Sequence, residues 1–213
     1  MSPFVALIHA TPAAIGPARA AFAESFGEAE LWNLLDDRLA ADADAAGGLS
    51  APLRKRMLTL IGHAVEHGAQ AVQLTCSMYG PVAELAGQLW DVPVRGSDGA
   101  MLRELAFSRP GRVGVIGSLA SAVADTSHRL GDLLPSTEIV PITATGAAEA
   151  AASGDSEALF VALENAARDH GVDVFVLGQY SLTPQWRRLE AAVSTPVLSP
   201  PQLAAAELRE VLA

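Results

Sequence analysis

The chain has one cysteine, Cys76, set in the stretch Val72-Gln73-Leu74-Thr75-Cys76-Ser77-Met78-Tyr79-Gly80-Pro81. An apolar run that ends in small and hydroxyl residues, followed by Gly80-Pro81 opening an amphipathic segment, predicts a strand, a tight turn and a helix. That order puts the thiol at a strand's C-terminal end and under a helix N-terminus. Unpaired amides and the helix dipole there favour an anion, whether a substrate carboxylate or a thiolate. A thiolate so placed has three uses: acid or base on one face of a carbon, nucleophile toward an activated double bond, or proton donor after decarboxylation. The helix N-terminus and a nearby imidazolium would lower its pKa. The competing structural reading is a small buried core cysteine.

Removing a proton α to a carboxylate leaves an enediolate, which needs donors aimed at its oxygens and a base of matched pKa. Thr75, Ser77, the turn amides from Ser77 through Met78 to Gly80, and Ser118 would form such a cradle. His9 and Thr11 sit at the tip of the first strand, where His9 is an acid/base or carboxylate-orienting candidate. Tyr79, Gly178, Gln179, Tyr180 and Ser181 complete the candidate lining, with packing as the alternative role for the tyrosines. None of this chemistry asks for a metal or an organic cofactor. His63, Glu66 and His67 spell H-x-x-E-H, formally an inverted zinc-protease motif. No third ligand is evident, so the histidines are read as suiting the negative end of a helix. Gly111 to Gly117 is glycine-rich but lies within a strand rather than after one, so it is not a dinucleotide fingerprint.

The elements that must hold these residues follow from the apolar runs. Phe4 to His9, Glu30 to Leu35, Ala71 to Thr75 and Val92 to Val94 read as strands. Helices fall at Pro12 to Phe26, Ser50 to His67, Pro81 to Trp90 and Asp98 to Phe107, while Asp36 to Gly48 reads as a loop or short helix. After the connector Ser108-Arg109-Pro110-Gly111 the order begins again. Strands at Arg112 to Ile116, Glu138 to Ile142, Val172 to Leu177 and Pro196 to Leu198 alternate with helices at Ser118 to Leu134, Ser156 to His170, Pro184 to Ala192 and Pro201 to Ala213; Ala144 to Gly154 reads as a loop. The recurrence extends to single residues. Glu66-His67-Gly68 matches Asp169-His170-Gly171, Pro93-Val94 matches Pro196-Val197, and Cys76 falls opposite Gln179, all 103 residues apart. The expected architecture is therefore α/β, two pseudo-symmetric parallel-sheet halves, residues 1–108 and 109–213, with the active site in the cleft between them.

Composition narrows the partners. At 213 residues the chain is long enough for a sizeable core. Its formal net charge of −10 and its lack of a basic run longer than Arg54-Lys55-Arg56 argue against nucleic acid or an anionic membrane. A single cysteine excludes an intrachain disulfide framework and fits a reducing compartment. With neither a signal-peptide pattern nor a long apolar stretch, a cytoplasmic location is expected. The expected partner is a small-molecule carboxylate, and a homo-oligomer is compatible with the sequence.

The motifs together resemble the aspartate/glutamate racemase superfamily, which also holds hydantoin racemases, maleate isomerases and arylmalonate decarboxylases. The residues that carry the resemblance are Leu74-Thr75-Cys76-Ser77, Val92-Pro93-Val94 followed by Asp98-Gly99-Ala100-Met101, Arg112 to Ser118, Asp173 to Gly178, and Thr195-Pro196-Val197. They run in order over nearly the whole chain. The family's two-base racemases use one cysteine from each half on opposite faces of the α-carbon. By that resemblance Cys76 is the first-half cysteine, while the second-half position is Gln179. Glutamine has no titratable proton, so it can orient a substrate but cannot act as a base. The first strand's tip also departs from the racemases' usual acidic or asparagine residue. Three readings follow: a cofactor-independent isomerase acting through Cys76 at the α-carbon or an activated double bond of a small carboxylate or cyclic amide, a decarboxylase of a malonate-type acid, and a non-catalytic binder of small acids.

Overall fold

A computed structural model describes residues 2–213. The elements in chain order are β1 (Phe4–His9), α1 (Ile15–Ser25), β2 (Glu30–Leu35), α2 (Leu39–Ala45), α3 (Ala51–Glu66), β3 (Ala71–Leu74), α4 (Gly80–Ala86), β4 (Val94–Arg95) and α5 (Gly99–Ser108). They continue with β5 (Arg112–Gly117), α6 (Ala120–Leu133), β6 (Glu138–Thr143), α7 (Ala147–Ser153), α8 (Ser156–Ala167), β7 (Val174–Leu177), α9 (Trp186–Val193), β8 (Val197–Leu198) and α10 (Pro200–Val211). Two parallel sheets result, ordered β2-β1-β3-β4 and β6-β5-β7-β8. In β1 the run Val5 to Ile8 is wholly buried, as a central parallel strand covered on both faces must be. β2, at the sheet edge, is only half-buried.

The internal repeat is reproduced to the residue. β1 and β2 recur as β5 and β6 at an offset of 108 (112 − 4, 138 − 30), and β3 and β4 recur as β7 and β8 at 103 (174 − 71, 197 − 94). Single backbone bonds recur with them. Gln70 N–H donates to Phe4 O and Asp173 N–H to Arg112 O; Thr75 N–H donates to Ile8 O and Gly178 N–H to Ile116 O. The frame is held constant while its contents change. Ala6 pairs with Val72 in the first sheet, whereas the equivalent pair in the second is Gly114 with Phe175. A Cβ on Gly114 would lie 2.6 Å from the Phe175 ring, so the larger neighbour requires the glycine.

The chain divides into two compact units, residues 1–99 with 201–213, and residues 100–200. The final helix thus goes with the first unit, and not with the half that precedes it in the chain. Within the first unit Arg95 Nε donates to Glu207 Oε1 at 2.7 Å and Gln202 Nε2 to Glu24 Oε2 at 3.2 Å, tying α10 to β4 and α1. The stretch expected to be a loop from Ala144 to Gly154 contains α7. Its alanines are the strongest helix formers, and its glycines mark the helix ends, Gly146 and Gly154 taking φ of +82° and +72°. Among the described residues no helix is long and apolar enough to cross a membrane.

Candidate active site

Cys76 follows β3 in an extended conformation and precedes a 3-10 turn, Ser77–Tyr79, that leads into α4. The turn exists because α4 begins at Gly80-Pro81: Pro81 has no amide to pair and suits a first helical turn. The residue as a whole is half-buried. Backbone amides of Met78 and Tyr79 hydrogen-bond to it and favour the thiolate, but burial outweighs them, and with the Asp98 and Asp44 carboxylates the thiol is pushed up to about 11. This reverses the expectation of a lowered pKa. The supposed imidazolium is also absent from the balance, since burial lowers His9 against the opposing effect of Asn33.

His9 is fully buried, and both ring nitrogens are engaged. Nε2 lies 3.0 Å from Asn33 Oδ1 and Nδ1 lies 3.0 Å from Thr75 Oγ1. With Asn33 Oδ1 accepting from Nε2–H, Nδ1 is the acceptor nitrogen facing the Thr75 hydroxyl. The imidazole therefore ties the tips of β1, β2 and β3 together and offers no nitrogen to a ligand, so the acid/base role expected for it does not fit this geometry. Thr75 is spent on the same network, its hydroxyl also lying 3.3 Å from Ile8 O. Tyr79 points inward, fully buried, its hydroxyl donating to Leu39 O at 3.0 Å. Thr11 is exposed beyond β1 and its side chain caps nothing. Of the first-unit candidates, Cys76, Ser77 and Met78 remain partly open side by side.

Asp98 joins this tip and was missed as a site residue by the sequence reading. It is buried to 5% exposure, and its carboxylate acts on the Cys76 thiol. The signal was present in the chain: Gly96-Ser97-Asp98 follows β4 directly, and β4 pairs with β3, so its tip lies beside that of Cys76. A lone aspartate after a two-residue strand has no periodicity to mark it.

In the second unit Gln179 takes the equivalent place, extended after β7 and before a 3-10 turn, Tyr180–Gln185. Its side chain is fixed. Ser118 donates twice to Gln179 Oε1, from its backbone N at 2.7 Å and from Oγ at 3.0 Å. A backbone N–H can only donate, so the amide orientation follows from chemistry and the Nε2 hydrogens point away from Ser118. Gly117 makes the room: a Cβ there would lie 2.6 Å from Val123 and 3.4 Å from Gln179 Oε1. Gly178 and Ser181 are partly exposed beside it, while Tyr180 is buried.

The profile of a family described as Asp/Glu/Hydantoin racemase matches residues 16–208. The chain belongs to that family. It is thereby an enzyme of the isomerase class, as the sequence resemblance implied. This racemase-family chain also shares its fold with glutamate racemase from Francisella tularensis subsp. tularensis SCHU S4, a complex with D-glutamate, at 12% identity and a TM-score of 0.71, over 99% of this chain and 81% of that one. Allantoin racemase from Klebsiella pneumoniae superposes at 16% identity and a TM-score of 0.69, over 99% and 87% of the two chains. Picrophilus torridus aspartate racemase does so at 13% and 0.70, over 98% and 94%. At these identities the likeness is one of fold. No curated protein sequence matches the chain significantly.

Proposed function

We propose that this racemase-family enzyme acts on one face of the α-carbon, or of an activated double bond, of a small carboxylate or related cyclic amide, with Cys76 as its single acid/base. The observation that supports this reading is the Gln179 side chain, at the position equivalent to Cys76 in the internal repeat, with its oxygen held by Ser118 and only N–H donors left to offer. It can bind a carboxylate or carbonyl oxygen but cannot take a proton. On this reading Ser77 in the first unit and Ser118, Gly178 and Ser181 in the second supply further polar or backbone contacts, and His9 with Thr75 positions the first unit's strand tips. The proton transfer requires an acid/base and oxyanion donors, with no cofactor. In the isomerase direction the thiolate forms against its raised pKa, stabilised by the Met78 and Tyr79 amides.

The raised pKa favours a second reading, decarboxylation of a malonate-type acid. There the C–C bond to one carboxylate breaks, CO₂ leaves, and its electron pair enters an enediolate. Cys76 S–H then delivers its proton to that carbon, and solvent reprotonates the thiolate. A thiol already protonated at neutral pH suits this order.

Incubation of the protein with a panel of small carboxylates, malonates and hydantoins in deuterated water, followed by NMR, tests both. Deuterium entering the α-position without loss of carbon supports the isomerase, and CO₂ release with one deuterium delivered supports the decarboxylase. Turnover that survives Cys76→Ser unchanged would overturn the single-thiol mechanism.

A further inference from the structure

Far from Cys76 in the first unit, α3 ends with two histidines one turn apart, His63 and His67, which share one side of the helix. Both are exposed, and their rings lie 4.3 Å apart between centroids. His67 Nδ1 donates to the His63 carbonyl oxygen at 2.8 Å, so as a neutral imidazole it keeps its lone pair on Nε2. Metal-ligating histidines characteristically give their other N–H to a backbone carbonyl, which fixes tautomer and ring orientation before the metal arrives. Trp32 packs against both rings, with centroids at 5.3 Å from His63 and 6.1 Å from His67, and stacks in turn on Phe4 at 5.9 Å. His67 faces a hollow that Phe4, Trp32 and the Glu30 residue also line.

We propose that His63 and His67 form a binding site for one divalent transition metal of the borderline class, Cu²⁺, Ni²⁺ or Zn²⁺, through two imidazole nitrogens. Imidazole selects these ions over Mg²⁺ and Ca²⁺, which require oxygen ligands. Among the described residues no group of three or more His, Cys, Asp or Glu side chains is arranged to hold a metal. The remaining positions therefore go to water or a small anion, and the ion exchanges readily. It takes no part in the Cys76 reaction: β1 runs from Phe4, beside this site, to His9, whose ring meets Thr75 next to Cys76, about 17 Å at strand spacing. Its effect is to pin the last turn of α3.

The test uses the full chain carrying Cys76→Ser, which removes the competing thiol, titrated with CuCl₂ and followed by electron paramagnetic resonance and tryptophan fluorescence. One equivalent should give a spectrum with coupling to two imidazole nitrogens and should quench emission. Trp32→Phe should reduce the quenching, with Trp90 beside Gly62 keeping a remainder, and leave the spectrum intact. His63→Ala and His67→Ala should each weaken binding by about tenfold or more with the helical circular dichroism unchanged, and MgCl₂ should not compete. Absence of two-nitrogen coupling, or a copper affinity unchanged in either histidine variant, would overturn the proposal.

Discussion

The sulfur of Cys76 is held by two amide hydrogens yet protonated by its surroundings, so its reactivity is set by whatever changes those surroundings. Alkylation by iodoacetamide should accelerate through a midpoint near pH 11 in the free protein, with no plateau near neutrality. Asp98→Asn should move that midpoint down, since the carboxylate is one of the groups raising it. A wild-type midpoint at or below the roughly 8.5 of a free thiol would show that burial does not control the sulfur. At residue 179 the informative change is Gln179→Glu. It keeps an oxygen for both Ser118 donors and puts a charged acceptor where two N–H donors stood. Binding of malonate should fall at least about tenfold, the scale of one lost charge-assisted hydrogen bond; isothermal titration measures it, and unaltered affinity would take Gln179 out of the site. For His9 the sign follows from its lowered pKa. The folded state holds the ring neutral while the unfolded chain binds a proton from about pH 6.5 downward. Stability from this group is present above that pH and is lost as the pH falls toward the folded value. His9→Gln should therefore flatten the decline of the urea midpoint on acidification.

The strands carry the clearest message at the level of elements. Their order, their four-plus-four repetition and the equivalence of Cys76 with Gln179 were legible because a buried parallel strand has to be a short apolar run, and because two such runs at a fixed offset seldom arise by chance. What chain order alone hides is where a side chain turns. His9, Thr75 and Tyr79 are polar residues near a strand tip and so read as lining, but each is consumed by an inward hydrogen bond that no spacing reveals. The α7 segment shows the same limit in another form, because alanine, glycine and serine together suit either a loop or a capped helix until the glycines' positive φ angles separate the two. The repeat also permits a transplant. Gly114→Ala should destabilise the protein by about 1–3 kcal/mol through overpacking against Phe175, and Phe175→Val by a similar amount through a cavity. Gly114→Ala with Phe175→Val restores the Ala6–Val72 pair of the first sheet. Its cost in urea denaturation should be well below the sum of the single changes, and strict additivity would show that Gly114 and Phe175 are not coupled by their contact.

For the molecule as a whole, the first unit is built from two separate pieces of chain, residues 1–99 and 201–213. Truncation after Ser199 should raise amide hydrogen exchange in β1, β3 and β4 while β5 and β7 keep their protection; the opposite pattern would assign α10 to the second unit. The discontinuity also orders the events of synthesis. A ribosome adds about 5–20 residues per second, so the 114 residues that follow Gly99 (213 − 99) take on the order of ten seconds to emerge. During that interval the thiol-bearing unit waits on the nascent chain without its last helix, while the glutamine-bearing unit is delivered in one uninterrupted piece. The half that is translated first is the half that is finished last.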